Sequence, residues 1–307
     1  MHAAIIKLSF REPVHFGRGR LTDSAFACDA GTLFSALFTE ALQMGCHEQL
    51  FAAAKSGALA LSDAFPFIGN VLYLPKPMVP SQAQDKVEQR DSREKKAHKK
   101  LGYIPAGQLA GYLDGNFDAI GELDHFRHEL GRAGAQTKVN ASYDPSGESK
   151  PYQVGAFSFR PQSGLYFIAR GDYDLRPVLD QLQFAGIGGE RTSGYGRFSY
   201  GIETQSPLLA AIDRQQGGRR VLLSSAAPTR EELTDGLLDG SHYKLVRKGG
   251  FVQSQTFAST PQKKRDLYLF AAGSTFTTTF DGAVFDVNAT AGSHPVYRYA
   301  RAMWMGV

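Results

Sequence analysis

The pattern of apolar and polar positions opens with a short alternating run, Ala4-Ile-Ile-Lys-Leu-Ser-Phe10, which predicts a strand. Pro13, Gly17 and Gly19 turn the following segment into a loop that carries His15, Arg18 and Arg20. Leu33, Leu37, Ala41 and Met44 then recur at i, i+4, i+8 and i+11, so the residues from Gly31 to Met44 predict a helix with one apolar face. Asp29 or Thr32 suits its N-cap and Gly45 its end. Two runs, Asp63 to Phe67 and Val71 to Leu74, predict strands joined by Ile68-Gly-Asn70 as a hairpin. Farther on, Gln136–Val139, Val154–Phe159 and Gly164–Arg170 predict strands, with a turn-rich Asp144-Pro-Ser-Gly147 link between the first two. Asp174 then caps a helix whose Leu175, Val178, Leu179 and Leu182 share a face, with Pro177 in its first turn.

A looser stretch, Thr204 to Arg220, separates this region from a second unit. There Val221–Leu223, Tyr243–Val246, Leu267–Phe270, Ser274–Phe280 and Val296–Tyr299 predict strands. Thr229 and Glu232 form a capping-box pattern that predicts a short helix ending near Gly240. The whole predicts an α+β protein of two ferredoxin-like (RRM-like) domains with insertions and a glycine-rich loop. Residues 1–203 form the first domain, with a basic insertion at about 80–135. Residues 204–307 form a smaller, degenerate second one.

Composition narrows the chemistry. Hydrophobic residues are 42% and charged residues 21% of the 307, ordinary for a folded protein. The net charge of +4 is too small for a polycation, so any affinity for nucleic acid must come from clustered charge. One cluster stands out: Lys86 to Lys100 holds seven basic residues, Lys99 and Lys100 among them, against three acidic ones. Such a segment predicts a solvated helix or a mobile insertion. Cys28 and Cys46 are too few for a disulfide framework or a four-thiolate metal site and read as small core residues. His125 and His128 read as a solvated helix face, which leaves no metal or cofactor assigned. With no secretory leader and no apolar run of membrane-spanning length, the expected compartment is the reducing cytoplasm, without membrane association.

The chemistry-bearing segment is Phe184-Ala-Gly-Ile-Gly-Gly-Glu-Arg-Thr-Ser-Gly-Tyr-Gly-Arg-Phe198. Five of the twelve residues from Gly186 to Arg197 are glycine: Gly186, Gly188, Gly189, Gly194 and Gly196. It lies between a helix and a strand, Arg197 to Tyr200, the reverse of the strand–loop–helix context that a P-loop or a dinucleotide fingerprint requires. Exposed backbone N–H groups in such a loop make a concave nest for phosphate. Arg191 and Arg197 add forked donors, Ser193 a hydroxyl, and Tyr195 a flat face on which a base can stack.

This loop resembles the signature loop of the RAMP superfamily of CRISPR proteins, most closely that of the Csm-type subunit-four family of type III-A effector complexes, in the Cas-five group. Pro13-Val-His-Phe-Gly17, Thr32-Leu-Phe-Ser-Ala-Leu37, Leu61-Ser-Asp-Ala-Phe-Pro-Phe67, Tyr73-Leu-Pro-Lys-Pro77 and His294-Pro-Val-Tyr-Arg-Tyr299 are similar to that family in order. The resemblance implies a non-catalytic subunit that binds the repeat-derived 5′ tag of the CRISPR RNA. Its implied partners are the large signature subunit, the adjacent RAMP backbone subunit, and target RNA near the guide duplex, which a thumb-like β-hairpin would meet. Carried onto this chain, the five loop glycines with Arg191, Ser193, Tyr195 and Arg197 would grip the tag, and His15, Arg18 and Arg20 would lie near them. Lys86–Lys100 is the candidate for the thumb or a basic strip beside it, and Lys138 opens a strand that faces RNA. Two alternatives remain open: a metal-independent RAMP endoribonuclease of CRISPR repeat RNA that uses His15 as acid–base catalyst, and a purely protein-binding spacer.

Overall fold

The computed structural model describes residues 2–79, 91–139, 150–213, 218–254, 256–289 and 292–307. Lys86, Arg90 and the Asp144–Gly147 turn lie outside the described residues.

The chain opens with β1 (His2–Phe10), followed by the two-residue strands β2 (Phe16–Gly17) and β3 (Ser24–Ala25). Helices α1 (Ala30–Gln43) and α2 (His47–Ser56) come next. As predicted, Asp29 caps α1, its carboxylate accepting from the Thr32 amide at 2.7 Å. Met44, expected on the apolar face, is 41% exposed; the buried stripe ends on Glu40 and Ala41 instead. Strands β4 (Leu59–Leu61), β5 (Phe65–Ile68) and β6 (Val71–Pro75) precede α3 (Ser92–Lys100), β7 (Tyr103–Pro105), α4 (Leu109–Leu113) and α5 (Ala119–Leu130). Then come β8 (Gly131–Val139), β9 (Pro151–Phe159), β10 (Ser163–Gly171), α6 (Arg176–Ala185) and β11 (Phe198–Glu203).

These elements build an antiparallel sheet of order β11-β1-β10-β5-β6-β7, with β4 also on β10. With α1 after β1 and α6 before β11, the order is that of a β-α-β-β-α-β ferredoxin-like domain whose second strand is split into β4 and β5. The split falls at Ser62–Ala64. There the Ser62 hydroxyl replaces a ladder partner for the Ile168 amide at 2.8 Å, freeing Asp63 to point elsewhere. One face of the sheet buries Leu8, Leu165 and Phe167 against Leu33, Leu37 and Phe34 of α1 and Leu179 and Leu182 of α6. Ile5, Tyr166 and Ile168 on the opposite face pack on residues of the C-terminal unit, including Val221, Met303 and Met305.

Between β5 and β10 the chain makes two excursions. Helices α3 and α5 pair over a small core of Ala97, Leu101, Phe117 and Leu123. The β8–β9 hairpin runs in unbroken register from Gly131↔Phe159 to Val139↔Pro151. The basic run therefore does not supply the hairpin: its described part is helical, capped by Asp91, and the long hairpin follows only after β7, α4 and α5.

In the C-terminal unit, α7 (Pro207–Asp213) occupies the stretch read as a loose linker. Strand β12 (Arg220–Leu222) pairs with β15 (Thr275–Phe276) and β18 (Trp304–Gly306), β13 (Leu245–Lys248) with β14 (Leu267–Phe270), and β16 (Gly282–Asp286) with β17 (Tyr297–Arg301). The helix expected at 229–240 is a series of turns. Its capping box does form, with the Thr229 amide 2.8 Å from Glu232 Oε2. Glu232 also accepts from the amides of Asp281, at 2.7 Å, and Gly282, which ties the segment to β16. The fold class is the predicted one, α+β with antiparallel sheets and ferredoxin-like domains.

Two of the segments similar to the family, Leu61–Phe67 and His294–Tyr299, meet where the halves join. Asp63 is buried and accepts from the Ala30 amide at 2.8 Å and from the amide and hydroxyl of Ser225, both at 2.7 Å. The Tyr299 hydroxyl accepts from the Leu61 amide at 2.8 Å, and Tyr297 stacks on Phe51 of α2 at 4.2 Å.

Candidate functional site

The glycine loop leaves α6 at Gly186 and returns as β11, and its shape is dictated by what passes beneath it. At Gly188, φ is +94° and an added Cβ would stand 2.6 Å from the His15 carbonyl oxygen. At Gly196, φ is +73° and a Cβ would stand 2.0 Å from the Ile187 carbonyl oxygen. No side chain fits either contact. Backbone bonds close the arrangement: Gly189 N–H to the His15 carbonyl at 2.8 Å, Gly196 N–H to Pro13 at 2.9 Å, and Ile187 N–H to Gly196 at 3.0 Å. The 13–16 segment is bonded in turn to the hairpin, Val14 and Phe157 exchanging both bonds at 2.9 Å. Loop, post-strand segment and hairpin thus form one hydrogen-bonded ledge.

The side chains divide into those that hold the ledge and those that face outward. His15 is buried, with Nδ1 2.7 Å from the Gly155 carbonyl oxygen of β9. Tyr195 does not offer the open face read from the sequence. It is 4% exposed, packed on Val154 and Ala156, hydrogen-bonded through its hydroxyl to Gln136, and covered by the Lys138 ammonium 4.0 Å from its ring centre. Burial raises its phenol above the usual value, against the opposing pull of Lys138, so it stays a donor to Gln136. Lys138 pairs with Glu190 at 2.8 Å, and Arg191 lies 3.5 Å from Glu40, a nearly buried carboxylate of α1. Both cations are therefore largely neutralised by the protein itself.

Arg18, Arg20, Ser193 and Arg197 are exposed on the same assembly. Arg18 also borders an open cleft of about 330 Å³ between the 18–24 turn and the hairpin, lined by Thr22, Asp23, Ser24, Ala133, Gly134 and Ala156. Lys99 and Lys100 take no part in the ledge; they end α3, in the α3/α5 pair. Four contributors were missed by sequence reading: Glu40, Gln136, Val154 and Glu190. Only Glu40 carried a local signal, a carboxylate seven residues after Leu33 on the apolar stripe of α1. Gln136 and Val154 come from the hairpin, which no periodicity reveals, and Glu190 lies in the loop itself, where its partner Lys138 arrives from β8.

The fold is that of the RAMP class of CRISPR proteins. Residues 215–307 match the model of the CRISPR Csm4 C-terminal domain. The chain is 36% identical over 309 residues to the CRISPR system Cms protein Csm4 of Mycobacterium tuberculosis (strain CDC 1551 / Oshkosh), covering 100% of this chain and 98% of that relative. The chain belongs to the Csm4 family. Its fold is also similar to a chain of a crystallised Csm3-Csm4 subcomplex of the type III-A CRISPR-Cas interference complex (TM-score 0.65, 18% identity, 100% of this chain and 99% of that one). A chain of a crystallised Csm1-Csm4 cassette in complex with AMPPNP is similar as well (TM-score 0.63, 21% identity, 100% and 98%).

Proposed function

We propose that this chain is a non-catalytic CRISPR RNA-binding subunit of a type III-A effector complex. In this reading it holds the 5′ tag of the guide and bridges the large subunit, Csm1, to the backbone subunit, Csm3. Relatives crystallised with Csm1 and with Csm3 support the two protein partners. The observation that carries the RNA reading is the ledge itself. A glycine loop too tight for side chains is bonded to the 13–16 segment and the hairpin, and this leaves Arg18, Arg20, Ser193 and Arg197 facing outward on a fixed backbone. A single RNA strand is gripped by such backbone and guanidinium contacts. Tyr195 and Lys138 act as framing residues, not as base or phosphate contacts.

A His15 ribonuclease fits less well, because the ring is buried, bonded to Gly155, and packed so that a Cβ on Gly189 would meet it at 2.7 Å. The test is tag-RNA affinity of the full chain as a function of salt. Arg18→Ala/Arg197→Ala should flatten the log–log salt slope by about 1.4, two single-strand phosphate contacts at roughly 0.7 each. An unchanged slope with retained fold would remove the reading, and cleavage of repeat RNA abolished by His15→Ala would replace it with the nuclease.

A further inference from the structure

The basic run flagged in the sequence is absorbed by neither the ledge nor the junction between the halves. Its described part, in α3, forms one wall of a groove of about 190 Å³ between α3 and α5. Arg93, Lys96 and Lys100 line it from α3, Arg127 and Asp124 from α5, over an apolar floor of Ala97, Ile120 and Leu123. All four cations are exposed, and among the described residues none of the four forms an ion pair. Asp124 is the one carboxylate among the lining residues. This is the opposite of Lys138 and Arg191, whose charge is met within the protein. Like charges held side by side on a rigid helix repel one another unless a polyanion lies against them.

The spacing specifies which polyanion. Arg93 to Lys100 spans seven residues, roughly 10 Å of helix at about 1.5 Å per residue. A nucleic-acid strand within a helix carries about three phosphates in that length, at about 3.4 Å each. The three α3 cations match that density. Continuity points the same way: α5 ends at Leu130, β8 begins at Gly131, and the exposed Arg132 carries the positive strip from Arg127 onto the hairpin that braces the ledge.

We propose that the α3/α5 groove is a second clamp for RNA phosphates, engaging RNA beyond the segment held by the glycine-loop ledge. The proposal rests on the RNA-binding reading above and extends it to a separate surface. The phosphates belong either to the guide strand past its tag or to an annealed target strand, and the test separates the two.

The full chain is titrated with three RNAs: the tag alone, the tag extended with guide sequence, and the extended RNA annealed to its complement. For Arg93→Glu/Lys96→Glu/Lys100→Glu, tag affinity should stay within about twofold of the unsubstituted chain. Affinity for an RNA that reaches the groove should fall about tenfold or more, with a salt slope shallower by about 2 for three single-strand contacts. A loss already present with the extended single strand assigns the guide; a loss only with the annealed RNA assigns the target strand. Arg93→Gln/Lys96→Gln/Lys100→Gln, which removes charge without adding repulsion, should give an intermediate loss and guards against a misfolded charge-reversal variant. Unchanged affinity for all three RNAs overturns the clamp. So does a defect confined to recovery of a protein partner, which would make the groove a seat for an acidic protein segment. An equal loss on the tag alone also overturns it, because the groove would then not be separate. Arg18→Ala/Arg197→Ala with full tag affinity would instead sink the ledge reading, independently of the groove.

Discussion

The glycine-loop ledge and the α3/α5 groove place positive charge on the surface in opposite ways. In the ledge, Lys138 is bound to Glu190 and Arg191 to Glu40, and the buried Tyr195 lies under the Lys138 ammonium. The loop gains rigidity, and the charge left for a ligand sits on Arg18, Arg20 and Arg197 around its margin. In the groove, short helices with a modest core carry four cations, none of which forms an ion pair among the described residues. Glycines therefore mark where a backbone is held tightly, and lysine runs mark where charge is displayed. The two signals identify different surfaces of one molecule.

The sharpest break of this comparison is steric. Gly196→Ala should destabilise the chain by about 2–4 kcal/mol, because the new Cβ meets the Ile187 carbonyl at 2.0 Å and φ is +73°. Gly134→Ala, on the exposed hairpin with nothing within 4 Å of the added Cβ, should stay within about 0.5 kcal/mol. Urea denaturation of both variants is the check, and similar costs would show that the loop is not held as described. Arg191→Ala should cost about 1–3 kcal/mol of stability, since it strands the nearly buried Glu40. Its effect on the salt slope should be smaller than that of Arg197→Ala. A larger effect on the slope would move Arg191 to the RNA-facing set.

At the junction between the halves, pH is the probe. Burial, with Asp29 second, pushes the Asp63 carboxyl up to about 7. A raised carboxyl pKa means the folded state holds the proton more tightly than the unfolded chain does. The stability Asp63 contributes is therefore complete below the unfolded value of about 3.9 and is lost as pH rises through about 7. The slope is at most roughly 1.4 kcal/mol per pH unit in that window. Asp63→Asn, measured from pH 4 to 8, should remove this decline while keeping an acceptor for Ala30 and Ser225; an unaltered pH profile would show that Asp63 does not titrate there. The smallest expected effect is at Lys138 and Glu190. A double-mutant cycle on stability should give a coupling of about 0.5–1 kcal/mol for this largely shielded pair, and zero coupling would detach the hairpin from the loop.

Much of the first domain was legible because its elements are local. Alternation in Ala4–Phe10, the i, i+4 spacing in Leu33–Ala41 and the glycine density after Leu182 each report on their own segment. What was illegible depends on distant partners. Tyr195 reads as a free aromatic until Val154, Ala156 and Gln136 arrive from the hairpin. The two strands of the hairpin were legible in Gln136–Val139 and Val154–Phe159; the start of the first escaped because Arg132-Ala-Gly-Ala135 is exposed on both faces and shows no alternation. Thr229–Gly240 reads as a helix until Glu232 is drawn to the Asp281 and Gly282 amides. Two of the segments similar to the family, Leu61–Phe67 and His294–Tyr299, turn out to be structural: through Asp63 and Tyr299 they join the halves.

The most direct test of the ledge is photocrosslinking of the full chain to a tag RNA carrying a photoreactive nucleotide, followed by peptide mapping. Attachment within residues 15–24 and 186–197 is the predicted result. Attachment confined to residues 220–307 would contradict it.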